Sequence, residues 1–124
     1  MRLIAAQSPL DAALVALADP TRRAILRRLT KGEASVTEIA APFALSLNAV
    51  SKHIRLLERA QLVERRRSGR EHLLSFNPSP LDDVAGWIEA QRAVWTARLD
   101  ALDAMLTAEN RARARTQTKK GRYR

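Results

Sequence analysis

The sequence predicts a mainly α-helical domain with a small β-hairpin and a long C-terminal helix. Three observations predict it: helix-start signals recur through the first half of the chain, a glycine turn separates two strand-like segments, and large apolar residues recur at helical spacing towards the C-terminus. Aromatic residues make up only 4% of the 124 residues, so aliphatic side chains must fill the core, which favours helices over a β-sandwich.

The first three helices are each marked by a capping signal. Ser8 followed by proline predicts a helix over residues 9–18, and Asp19 followed by proline predicts a second helix that ends before the next glycine. Ser35 opens a capping box with a glutamate three residues later, which predicts a short third helix limited by the following proline.

The fourth predicted helix has two very different faces. Ser46 can cap a helix that runs through about Ala60, and Val50, Ile54 and Leu57 fall within one narrow arc of it, as core residues do. The opposite face is polar and basic along its length and consists of Asn48, Lys52, Arg55 and Arg59, with Ser51 beside them. Such a face needs either water or a partner.

A basic β-hairpin follows this helix. Residues 62–67 and 71–76 flank the turn Ser68-Gly69-Arg70, where the glycine supplies the positive φ that tight hairpin turns require. The cations of the hairpin are Arg65, Arg66, Arg67 and Arg70. Because side chains alternate across a strand, only some of them can face the same partner.

The last predicted helix begins at Ser79 and continues to about Glu109. Its apolar stripe recurs every three, four or seven residues and consists of Leu81, Val84, Ile88, Trp95, Leu99, Leu102 and Leu106. A domain this small cannot cover the whole stripe, so we expect the helix to pack on a second copy of itself, with Trp87 and Trp95 contributing much of the buried area. A small apolar effector pocket at that seam stays open as an alternative.

The net charge of +9 is concentrated at the C-terminus. Residues 110–124 carry seven Lys and Arg residues and no acid, which leaves about +2 for the rest of the chain. Because this segment has almost no apolar residue, we expect a basic disordered tail after a folded domain over residues 9–109. The tail either keeps the protein in solution or follows DNA phosphates.

Several classes of function lack their residues. There is no cysteine and there are only two histidines, so no metal site or other cofactor is expected, and no Gly-rich phosphate loop or nucleophile motif points to an enzyme. His53 flanks the apolar stripe of its helix, as a half-buried structural histidine does. No apolar run resembles a signal peptide or a membrane span, which predicts a cytoplasmic protein.

Three helices followed by a basic hairpin are the parts of a winged helix-turn-helix, in which one helix enters the DNA major groove and the hairpin flanks it. We therefore expect double-stranded DNA as the partner, bound through the helix 46–60 and the wing 63–76. The residues expected to contact DNA from the helix are Ser46, Leu47, Asn48, Ser51, Lys52 and Arg55, and those from the wing are Arg65, Arg66, Arg67 and Arg70.

The chain also resembles the ArsR-type winged-helix regulators over residues from about 10 to 110. The resemblance rests on LADPTRRAIL and on AVSKHIRLLE, followed by a Leu-Val pair and a basic wing. It implies a homodimeric repressor that binds an inverted repeat, with a dimer interface formed by the first and last helices. The interface residues would be Leu10, Leu14, Leu17, Ile88, Trp95, Leu99, Leu102 and Leu106.

Three departures from the family pattern bear on the control of this chain. Residues 36–40 lack the cysteine pair of the metal-sensing members, and the acids of the last helix have no histidine among them for a zinc site. Three kinds of control therefore stay open: a small molecule, a protein partner, or the protein's own concentration through autorepression. Gln61 stands where relatives usually carry glycine after the recognition helix, which implies a strained helix end at a cost of about 1 kcal/mol.

Two other interpretations remain at this point. The protein could be a sequence-tolerant architectural or nucleoid-associated DNA-binding protein, in which the tail and wing dominate binding. It could instead use the winged fold to bind another protein, although the continuous basic face of residues 48–59 argues against this.

Overall fold

A computed structural model describes residues 8–122 of the chain, with side chains for residues 8–117. The chain divides into two units, one up to Gly86 and the other from Trp87 onward. The elements are α1 (Pro9–Leu17), α2 (Pro20–Leu29), β1 (Ala34–Ser35), α3 (Val36–Ala40), α4 (Leu47–Arg59), β2 (Val63–Ser68), β3 (Glu71–Phe76) and α5 (Ser79–Arg122). This is the predicted mainly helical fold with a β-hairpin wing and a long last helix.

The short helices begin where their capping residues predicted. Ser8 Oγ accepts a hydrogen bond from the backbone N–H of Asp11 at 3.1 Å, and the Asp19 carboxylate accepts one from Arg22 N–H at 3.0 Å. The predicted capping box of α3 is complete, because Ser35 Oγ and the Glu38 carboxylate each accept the other residue's N–H. Local sequence alone therefore sets these helix starts.

The sheet contains three antiparallel strands in the order β1-β3-β2. The predicted hairpin is confirmed: Ser68 pairs with Glu71 across a two-residue turn whose first residue, Gly69, has φ 63°. The strand β1 was not predicted, because two residues are too short to show a period. Its backbone pairs with Leu73 and Leu74 of β3 and ties the start of α3 to the wing.

The core of the first unit is aliphatic, as the composition predicted. Its fully buried side chains come from α1, α2, α3, α4, the residue before β2 and the middle of β3, and the largest are Ile25, Ile39, Val50, Ile54, Leu57, Leu62 and Leu74. Phe76 and Leu81 pack against this cluster from the end of β3 and the start of α5. Burial of Val50, Ile54 and Leu57 in this cluster fixes which face of α4 points to the core.

The end of α4 confirms the strain expected at Gln61, which has φ 62°. Leu62 N–H donates to Leu57 C=O and Gln61 N–H donates to Glu58 C=O, both at 3.0 Å, which is the pairing of a Schellman cap. Leu62 and Leu57 are both fully buried, so the apolar contact typical of this cap is also present. Glycine would take this conformation without steric cost.

The second unit is helical from Trp87 to Arg122, and the prediction of a disordered tail over residues 110–124 is wrong for residues 110–122. Alanine, arginine, glutamine and lysine dominate this segment, and all are strong helix formers. Arg113 also pairs with Glu109 at 3.0 Å one turn earlier, and cations near a helix C-terminus interact favourably with its dipole. Residues 123 and 124 lie outside the described residues.

Candidate nucleic-acid interface

The helix α4 is held firmly while its outer face stays open. Ser46 Oγ accepts the backbone N–H of Ala49 at 3.1 Å and so caps the first turn. Val50, Ile54 and Leu57 on the inner face are fully buried. The cap and the buried face hold the backbone of this helix, and so fix the positions from which its outer side chains project.

The outer face of α4 is a row of polar and cationic side chains, as predicted. Asn48, Lys52, Arg55 and Arg59 are all exposed. Among the side chains described for residues 8–117, none forms a hydrogen bond or ion pair with the three cations of this row. An uncompensated row of cations on a rigid helix attracts a polyanion.

The remaining predicted residues of this helix are placed differently. Ser46 is exposed, but its hydroxyl oxygen already serves as the helix cap. Ser51 is half-buried and lies beside the cationic row rather than on it. Leu47 is 52% exposed in the first turn, although leucine normally buries more of its surface.

Two of the four wing arginines are bound to acids of their own chain. Arg65 donates to both carboxylate oxygens of Glu58 at 3.2 and 2.8 Å, and Arg66 donates to both of Glu33 at 2.7 and 2.5 Å. The hydrogen bond from Arg66 lowers the pKa of Glu33, and the hydrogen bond to Glu58 raises the pKa of Arg65. These pairs brace the wing against α4 and against the segment before β1.

The other two arginines are at the tip of the wing. Arg67 donates from Nε to the Gly69 carbonyl at 3.2 Å, and Arg70 has no partner among the described side chains. Both are exposed. The structure thus separates the predicted wing cations into an inner pair with offset charges and an outer pair with uncompensated charges.

Arg22 has a structural role that the sequence did not reveal. Its guanidinium donates to the carbonyls of Val15 and Ala16, both at 2.8 Å, and so closes the C-terminus of α1. Its Nη1 also lies 3.3 Å from Nδ1 of His53 on α4, and that nitrogen is 3.8 Å from the Asp19 carboxylate. His53 is half-buried there, as predicted, in a polar network joining three helices. In the sequence, only the position of Arg22 within the motif LADPTRRAIL singled this residue out.

The residues predicted for a dimer interface fall on both units. On the first unit, Leu10 and Leu17 are half-buried, while Leu14 is exposed beside Val15. On the second unit, the predicted residues are between 46% and 62% exposed: Ile88, Trp95, Leu99, Leu102 and Leu106. Trp87, which the sequence also predicted to contribute buried area to a dimer, is 47% exposed, and Val94 and Met105 add exposed apolar surface that the prediction left out.

Metal ligands and membrane spans were also sought in the described part of the chain. Within it, no group of three or more His, Cys, Asp and Glu side chains is arranged to hold a metal ion. None of the helices in the same residues is long and apolar enough to cross a membrane.

Comparison with known proteins gives one consistent family. Residues 17–66, which include α2, α3, α4 and the start of the wing, match a family model described as a helix-turn-helix domain. The chain is 42% identical over 71 residues to the HTH-type transcriptional regulator Rv2034 of Mycobacterium tuberculosis, an alignment that spans 57% of this chain and 66% of that protein. It is also 34% identical over 73 residues to the transcriptional repressor SdpR of Bacillus subtilis, across 59% of this chain and 81% of the repressor.

Solved structures agree with these relatives. The crystal structure of the ArsR family transcriptional regulator RHA00566 superposes with a TM-score of 0.68 at 38% sequence identity. The superposition covers 71% of this chain and 97% of that one.

Proposed function

This chain belongs to the ArsR family of DNA-binding transcriptional regulators, and we propose that it is a homodimeric repressor that binds an inverted-repeat operator. It is a regulator rather than an enzyme. In the proposal, residues 9–109 form the DNA-binding and dimerisation domain, the helix 46–60 enters the major groove and the wing 63–76 flanks it. Transcription would be blocked by occupancy of the promoter.

The observation that carries the proposal is the uncompensated row of cations on α4. Lys52, Arg55 and Arg59 lack acidic partners among the described side chains, whereas the nearby Arg65 and Arg66 are both paired. The capped start and the fully buried inner face of α4 hold this row in one orientation. Rigid placement is what base recognition requires.

The side chains of the interface have different expected roles. Arg55 and Lys52 match the acceptors of guanine or a phosphate, and Asn48 matches the donor and acceptor of adenine. Arg67 and Arg70 at the wing tip would neutralise phosphates. Arg65 and Arg66 would hold the wing in place and contribute little to affinity, since Glu58 and Glu33 offset their charges.

A homodimer would cover the exposed apolar side chains. Trp95 is 62% exposed, and the leucines at 99, 102 and 106 are each about half exposed on the same helix. Leu14 and Val15 present a similar surface on α1. A two-fold dimer would place two α4 helices in successive major grooves, about one helical turn of DNA apart.

Sedimentation of a Trp95→Gln variant tests the dimer. We expect it to shift the protein towards monomer, because the largest exposed apolar side chain of the stripe is lost. Arg111→Gln, a change on the same helix but outside the stripe, should leave the dimer intact. Equal sedimentation of Trp95→Gln and the unchanged protein would contradict the proposed interface.

Selection from random duplex DNA tests the proposed recognition. A palindromic motif bound about a thousandfold better than a scrambled duplex would support a specific dimeric repressor. The lack of any enriched motif, together with a steep dependence on salt, would instead favour the sequence-tolerant architectural protein, for which the cationic segment 110–122 is the main support.

The proposed site of action is the cytoplasm, where a bacterial-type promoter is accessible. Residues 36–40 contain no cysteine and so cannot supply thiolate ligands to a metal effector. A small molecule or a protein partner would act by changing the DNA affinity of the same dimer.

A further inference from the structure

Two leucines next to the capped start of α4 are exposed and lie outside the core cluster. Leu45 is 45% exposed and Leu47 is 52% exposed, whereas the helix is anchored by Val50, Ile54 and Leu57 further along. Leu47 is the first residue of the helix, directly after the cap Ser46. Residues at this end of a recognition helix are those that reach base edges.

From this position we infer that Leu47 reads a thymine by contact with its C5-methyl group. That methyl is the apolar group that a base pair presents in the major groove, and apolar side chains recognise thymine through it. The inference rests on the proposed function, since it requires that α4 enters the major groove. It adds a chemical preference that the cationic row cannot provide, because cations match guanine and phosphate.

The neighbours of Leu47 support this choice of partner. Asn48, the next residue, is exposed and matches adenine, while Lys52 begins the cationic row one turn later. An apolar contact followed by an amide and a cation predicts a half-site that contains thymine close to adenine and guanine. A protein partner is a poorer match, because the exposed residues that follow on the same helix include the unpaired cations Lys52 and Arg55.

The test replaces single thymines in the selected operator by deoxyuridine, which removes only the methyl group. Full-length protein is titrated against each duplex at one salt concentration. We expect one symmetry-related pair of positions where the replacement weakens binding about fourfold per half-site, the value of one buried methyl-sized group. Leu47→Ala should bind the unmodified operator more weakly and should lose this penalty, as a double-mutant cycle reports.

Leu45→Ala is the matched control, because it removes an apolar side chain of similar exposure two residues earlier. It should retain the deoxyuridine penalty, and thermal melting should show that both variants fold. The inference is overturned if no thymine shows a penalty, if the motif contains no thymine, or if Leu47→Ala keeps the full penalty. Tight binding to the operator with any of these results overturns the role of Leu47 alone, whereas failure to select an operator overturns the proposed function.

Discussion

Replacing Gln61 by glycine should stabilise the protein, although it removes a side chain. Gln61 has φ 62°, a conformation that costs a residue with a Cβ roughly 1–2 kcal/mol and costs glycine almost nothing. About 0.5–1 kcal/mol of the relieved strain is offset because glycine has more conformational freedom in the unfolded chain. We therefore expect a net increase of about 0.5–1 kcal/mol in the free energy of unfolding.

Thermal unfolding at matched protein concentrations measures this change. For a unit of this size the gain corresponds to a rise of roughly 2–6 °C in Tm. The control is Gln61→Ala, which removes the same polar group but keeps the Cβ and thus the strain. Its Tm should stay close to that of the unchanged protein, because no hydrogen bond from the Gln61 side chain is lost.

The Tm values of Gln61→Gly and Gln61→Ala together separate relief of backbone strain from loss of the side chain. The backbone hydrogen bonds of the cap remain in both variants, as does the hydrogen bond that the Asn77 side chain donates from Nδ2 to the Gln61 carbonyl at 2.8 Å. A Tm of Gln61→Gly equal to or below that of the unchanged protein would refute the strain argument. A similar rise in Gln61→Ala would show that the side chain, rather than the backbone, causes the effect.

Three further predictions concern acid stability, salt and the wing. The Arg22 N–H bonded to Asp19 lowers the pKa of that carboxyl, so its contribution to stability is present above about pH 4 and is lost as the pH falls through the lower folded pKa. Asn can still cap α2, so urea unfolding of Asp19→Asn should show a smaller loss of stability between pH 5 and pH 3 than the unchanged protein. Equal losses in the two proteins would exclude a stabilising role for the Asp19 carboxylate. Ending the chain at Glu109 removes seven cations and should flatten the plot of log affinity against log salt concentration. The ratio of the affinities for the operator and for a scrambled duplex should stay constant. An unchanged slope would show that residues 110–124 do not contact DNA. Arg70→Ala should reduce that slope by about one phosphate contact per protomer. The double variant Glu33→Ala/Arg66→Ala removes one charge pair and keeps the net charge, so it should leave the slope nearly unchanged, and the opposite order would contradict the division of the wing.

The elements that the sequence predicted best are those fixed by short-range chemistry. The helix caps at Ser8, Asp19, Ser35 and Ser46 depend on residues three positions apart, and all four are present. The buried face of α4 and the hairpin turn at Gly69 are also local, since a helical or strand period determines them. The strained position 61 followed from the family resemblance.

The features that the sequence missed depend on distant partners. Arg66 pairs with Glu33, 33 residues earlier, and Arg22 reaches His53, 31 residues later, so no local pattern reveals either contact. Four wing arginines that look alike in sequence therefore divide into two paired and two outward ones. The end of α5 was placed too early because the lack of apolar residues was taken as disorder, although the helix propensity of the same residues is high.

The central claim is that the outer face of α4 recognises DNA, and the affinities of Lys52→Ala and Arg55→Ala for the selected operator test it most directly. Each variant should bind the operator about tenfold to a hundredfold more weakly while sedimenting as the unchanged protein does. Lys31→Ala, which removes an exposed cation outside the helix 46–60 and the wing, should retain nearly full affinity. Unchanged affinity of Arg55→Ala and Lys52→Ala, or an equal loss in Lys31→Ala, would contradict the account.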